Sequence, residues 1–136
     1  GAAGSTVTTP SETTPAAVQS FLEFQFYGAL AATSAVLPAM REAGAGTLLY
    51  TTGAGSVDPI PMLGNANAVG AALRNWVLNL NRELAGTGIH AAHVAIGVWI
   101  GPGGPPEVPT ATPEQIAPVY WDLHNDHDQA EYVFTG

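Results

Sequence analysis

The chain has 136 residues, 46% of them apolar, which is the length of one domain with enough apolar content for a core. Three arginines, no lysine and eleven acids leave a net charge of −8, so no basic patch can form for nucleic acid or an anionic membrane. The absence of cysteine excludes a disulfide frame, a thiolate zinc site and a thiol nucleophile.

Residues 1–14 are small and polar. They have neither a basic start nor an apolar stretch, so no leader is expected. No apolar run is long enough for a membrane span, and a cytoplasmic setting is expected. Thr14 and Pro15 read as the cap and first residue of a helix. It should run through Phe21, Phe24, Leu30, Val36 and Met40 to Gly44, bent near its end by Pro38. Phe21, Phe24, Phe26 and Tyr27 crowd one part of it. Their plainer reading is a core helix, and the sharper one adds a partner subunit.

Gly44 and Gly46 flank a turn into a short buried strand, Leu48, Leu49 and Tyr50. A Gly/Pro loop follows from Gly53 to Gly64. Val69, Leu73, Trp76, Val77, Leu80 and Leu84 then recur at helical spacing. Gly86 and Gly88 end that helix, and a second strand runs from Ile89 to Ile96. Strand, helix and strand with short links predict a parallel pair with a right-handed crossover. Residues 98–112 form a Gly/Pro-rich loop that could close over a pocket as a lid. Thr112, Pro113 and Gln115 start a third helix with a capping box, carrying Ile116, Val119, Tyr120 and Leu123 inward. A polar turn and a last strand, Tyr132 to Phe134, close the chain.

Two strings, QFYGALAATSAVLPAMREAGAGTLLYTTG and NANAVGAALRNWVLNLNRELAGTGIHAAHVAIG, carry a resemblance. From about Thr14 to Phe134 the chain resembles the C-terminal half of a short-chain dehydrogenase/reductase. The resemblance implies an α/β fold, half of a Rossmann-like doubly wound architecture. The family's strands 5, 6 and 7 would lie parallel under packed helices, in an incomplete sheet forming a single domain over 1–136. Gly1 to Gly4 resembles the tail of the family's Asn-Asn-Ala-Gly turn, so a fragment of a longer protein is expected.

The family implies NAD or NADP, a proton-transferring tyrosine, a lysine four residues later, a substrate-positioning serine and an asparagine on the fourth helix. In this sequence Ala66 stands at the tyrosine, Gly70 at the lysine, Gly53 near the serine and Gln25 at the asparagine. Ile96 replaces the proline before Gly97. Without a phenol beside a cation the usual acid–base step should not run. Cofactor binding by this chain is doubtful on the same ground: Gly53-Ala54-Gly55 lacks a third glycine and a following helix, and the glycines at 101–104 sit in a loop.

Thr51, Thr52, Ser56, Asn65 and Asn67, with Gly97, could line a small polar pocket near the former active centre. Their plainer reading is hydrogen bonding at a strand end and a helix start. His124, Asp126, His127 and Asp128 have metal-ligand residue types but read as a solvated turn, so no metal is expected. His90 and His93 fall on opposite strand faces, and His93 reads as a core histidine. Trp76, Trp99 and Trp121 read as packing residues.

Two functions follow. One is a short-chain-family oxidoreductase with altered chemistry. The other is a non-catalytic binding or structural module on the same fold. In either case a homodimer is expected through the helices at about 14–43 and 65–85, which in the family form a four-helix bundle. A sheet edge left bare where a fourth strand would pair adds to that expectation.

Overall fold

The structure, a computed structural model, describes residues 6–136; the glycine turn at Gly1–Gly4 lies outside them. Helix α1 (Pro15–Phe21) starts as the sequence indicates. Thr14 Oγ1 accepts the Ala17 N–H at 3.2 Å, and Pro15 fills a position whose N–H would have no partner. The rod continues through a π-helical segment (Leu22–Tyr27) into α2 (Gly28–Ala43). α2 carries on past Pro38, and Gly44 closes it in the left-handed conformation at φ 65°.

Strand β1 (Gly46–Gly53) pairs in parallel with β2 (Ile89–Ile96), with Gly46 opposite Ile89 and Gly53 opposite Ile96. Helix α3 (Gly64–Glu83) makes the crossover between them. The apolar spacing thus folds as the expected parallel unit. The turn that ends α3 passes over the turn that ends α2. Gly88 sits at φ +83°, and a Cβ there would collide with the Gly44 carbonyl oxygen.

Residues 98–112 are more ordered than a plain loop. Short strands β3 (Trp99–Ile100) and β4 (Thr110–Ala111) pair in parallel within them. Helix α4 (Pro113–Asn125) has the full capping box. Thr112 Oγ1 accepts the Gln115 N–H at 3.2 Å, and Gln115 Oε1 accepts the Thr112 N–H at 2.8 Å. Strand β5 (Glu131–Phe134) starts one residue earlier than the sequence pattern indicates and pairs with β2, Glu131 opposite His93.

The sheet order is β1-β2-β5, all parallel, with helices on both faces. On one face Leu48, Ile89 and Ala91 pack with Leu80 of α3 and Leu84 just past its end, flanked by Leu37, Met40, Tyr50 and Trp76. On the other, Ala92, Val94 and Phe134 pack with Ile116 and Leu123 of α4. Trp76 is a packing residue, edge-on to Tyr50 at 5.8 Å. Trp121 is not, being 65% exposed on the outer side of α4, and Trp99 is 43% exposed. Among the described residues no helix is long and apolar enough to cross a membrane.

Candidate functional site

A cleft of about 330 Å³ opens at the carboxyl end of β1. Sites in open α/β sheets form outside these strand ends, where loops diverge. Phe21, Phe24 and Gln25 come from the end of α1 and the π segment. Thr51 and Gly53 come from β1, and Ser56 from the turn after it. Leu63 comes from the turn just before α3, and Ala66, Asn67 and Gly70 from its start. The cleft therefore gathers all four positions carried over from the family, Gln25, Gly53, Ala66 and Gly70, with Thr51, Ser56 and Asn67.

Three of the pocket candidates stand elsewhere. Asn65 is fully buried and ties down the N-terminal segment: its amide donates to the carbonyls of Thr6 and Ala17, and its oxygen accepts the Thr8 N–H at 2.8 Å. Gly97 lies past β2 against the Phe134 carbonyl and the Ala54 methyl, where a Cβ would stand 3.1 and 3.2 Å from them. Thr52 turns from the cleft into the layer beneath α3.

That layer holds a polar chain. Ser56 Oγ is 2.7 Å from Thr52 Oγ1, which is 2.6 Å from His93 Nε2. His93 Nδ1 is 3.0 Å from Glu131 Oε2. Arg74 Nε and Nη2 donate to the two Glu131 oxygens at 2.6 and 3.0 Å. The Arg74 hydrogen bonds hold the Glu131 carboxyl below its ordinary range against its partial burial, and His93 adds to the effect. Glu131 in turn raises Arg74. Burial pushes His93 down, Arg74 adds to that, and Glu131 opposes it. His93 is in the core, as the sequence suggests, but as a fully hydrogen-bonded imidazole. Arg74 and Glu131 are the residues the sequence reading misses. The available signal was the even spacing that puts Thr52 on one strand face with Tyr50, whose register partner is His93.

On the opposite face Thr51 Oγ1 meets Tyr120 Oη at 2.7 Å, and Thr47 Oγ1 meets His124 Nδ1 at 2.7 Å. His90 stacks on His127 with centroids 4.5 Å apart. Burial first, then His127, pushes His90 down. Among the described residues no three His, Asp or Glu side chains converge to hold a metal.

The cleft does not fit the family's way of holding a nicotinamide cofactor. Ala66 offers no phenol. Gly70 is pressed against β1, and a Cβ there would stand 3.3 Å from Ser56 Cβ and 3.7 Å from Thr52 Cβ. A side chain at 70 would press on Ser56. No arginine lines the cleft, and Arg74 is committed to Glu131. What the cleft offers is aromatic and aliphatic surface, the Gln25 amide, the Asn67 side chain and the Ser56 hydroxyl.

The family model for short chain dehydrogenase matches residues 1–101. Among solved structures, acetoin dehydrogenase from Salmonella typhimurium superposes with a TM-score of 0.84 at 19% identity, covering 100% of this chain and 61% of that one. L-sorbose reductase from Gluconobacter frateurii, complexed with NADPH and L-sorbose, gives 0.80 at 20% identity, covering 100% and 63%. A short chain oxidoreductase from Pseudomonas aeruginosa PAO1 with an atypical catalytic center gives 0.80 at 17%, covering 97% and 62%. No curated protein matches the sequence. The chain thus spans about three fifths of the length of these structural relatives. With the parallel sheet, the two-sided helix layers and a family match over most of its length, the chain belongs to the short chain dehydrogenase family.

Proposed function

We propose that this chain is the substrate-binding side of a short-chain-family oxidoreductase that does not use the tyrosine–lysine acid–base step. The convergence of Gln25, Gly53, Ala66 and Gly70 on one cleft supports this reading. The cleft takes a small, mainly apolar molecule with one oxygen function, its body against Phe21, Phe24 and Leu63 and its oxygen toward Gln25 and Ser56. NAD or NADP is the cofactor that the family reading brings with it. A cytoplasmic setting belongs to the same reading. Amide chemical shifts tested against small cyclic ketones and alcohols should move at Gly53, Ala66 and Gly70. If those amides stay still across the panel, the cleft is not a ligand site.

The second reading is a non-catalytic dimeric binding or structural module. Its support is exposed apolar surface on the long rod, where Phe24 is 60%, Tyr27 46% and Val36 41% exposed. The dimer would form through the helices at about 14–43 and 65–85. Calorimetric titration with NAD and NADP separates the two readings: micromolar binding favours the oxidoreductase, and its absence together with a stable dimer favours the module.

A further inference from the structure

The polar chain behind the cleft has a direction. Arg74 grips both oxygens of Glu131, which keeps that carboxylate ionised. A carboxylate oxygen 3.0 Å from His93 Nδ1 demands an N–H there, so the ring proton sits on Nδ1 and Nε2 carries a lone pair. Thr52, 2.6 Å from Nε2 and 3.2 Å from the Gly53 carbonyl, therefore donates its one hydroxyl hydrogen over the shorter contact, to His93. Ser56, 2.7 Å from Thr52, then donates to Thr52. That leaves the Ser56 oxygen with a free acceptor lone pair, on a residue that lines the cleft. Thr52 and Ser56 are buried and His93 is fully so, and water cannot easily scramble this order.

We propose that Ser56, Thr52 and His93 form a proton path that accepts the proton of a hydroxyl bound in the cleft, with His93 Nε2 as its end. The inference rests on the reading of the cleft as a ligand site. Along the path the O–H bonds of the ligand, Ser56 and Thr52 break. New O–H bonds form at Ser56 and Thr52, and an N–H bond forms at Nε2. The ligand is left as an oxyanion facing the Ser56 O–H, and the imidazolium faces Glu131. No electron pair leaves its atom, and total charge is unchanged. Glu131 and Arg74, the charged groups facing His93, are positioning residues: one fixes the ring proton and the other fixes the carboxylate. Gly70 leaves the room in which Ser56 and Thr52 meet, since a side chain there would press on both.

The path gives the cleft a proton acceptor in place of the one lost at Ala66. It lies on β1 and β2 rather than on α3. Burial keeps His93 uncharged near neutrality, the state in which it can receive a proton.

4-Nitrophenol tests this, because it absorbs visible light only as the phenolate. Bound in the cleft, its pKa should fall through transfer toward His93, a fall limited by the burial that holds His93 below its ordinary value. Ser56→Ala and Thr52→Val should abolish the fall, and Thr52→Ser should keep it. Circular dichroism checks that each variant is folded. The nitrogen-15 shifts of the His93 ring in the ligand-free protein should show the proton on Nδ1. A dye that moves the cleft amides with no change in its ionisation overturns the path alone. So does a shift that survives in Ser56→Ala, or a ring protonated on Nε2. A dye that leaves the cleft amides unmoved overturns the ligand-site reading and the path together.

Discussion

Thr52 illustrates how a hydroxyl on a strand can matter through its neighbours. Thr52→Val keeps the shape but leaves His93 Nε2 buried without a donor, which should cost about 1–3 kcal/mol in urea unfolding. Thr52→Ser should cost much less. Acid should weaken the fold in two stages. His93 and His90 have folded pKa values below their ordinary 6.5, so the unfolded chain binds their protons first. Stability therefore falls as pH drops below about 6.5, until the folded pKa values are reached. Glu131 is also held below its ordinary 4.5, and its contribution is lost as pH falls further, through its folded pKa. Unfolding midpoints from pH 8 to 2 check both stages, and a flat profile between 7 and 5 would remove the histidine part. The chain of partners was only partly legible beforehand. Thr52 and Ser56 stood out as polar residues near a strand end. Their link to Glu131 and Arg74 needs the register of β5 and the facing of α3, neither of which a local pattern reports.

Among the elements, those with local signals were the legible ones. The capping box at Thr112 and Gln115 forms as read, and Thr112→Ala should lower stability by about 1 kcal/mol in thermal or urea unfolding. The crossover helix and its two strands follow from apolar spacing and from glycines at the turns. Gly88→Ala tests those turns: the positive φ and the collision with Gly44 together should destabilise by more than about 1 kcal/mol, with a lower melting temperature as the readout. The strands at Trp99–Ile100 and Thr110–Ala111 were not legible, because two residues cannot display a period. The π segment was not legible either, since it lies against α3 and leaves the apolar pattern helical.

For the whole molecule, the family resemblance captured the parallel sheet and the helix layers. Trp121 escaped it because exposure on α4 depends on what covers that helix. β1 forms an edge of the described sheet, and the long rod bears exposed Phe24 and Tyr27. A dimer is therefore expected in sedimentation at tens of micromolar protein, and Phe24→Asp with Tyr27→Asp should shift it toward monomer. A monomer in the unchanged chain would sink that expectation. The π segment has a further consequence, best put as rotational phase. Each residue turns an α-helix by about 100°, and a π turn holds roughly one residue more than an α turn. The rod is thus clocked differently on its two sides: α1 lies on α3, whereas α2 lies on β1. Deleting one residue between Leu22 and Tyr27 would rewind the rod as plain α-helix. Phe21 would swing out of the cleft and the Ala17 carbonyl away from Asn65, while the 2.6 Å contact of Thr33 with Tyr50 stayed in place.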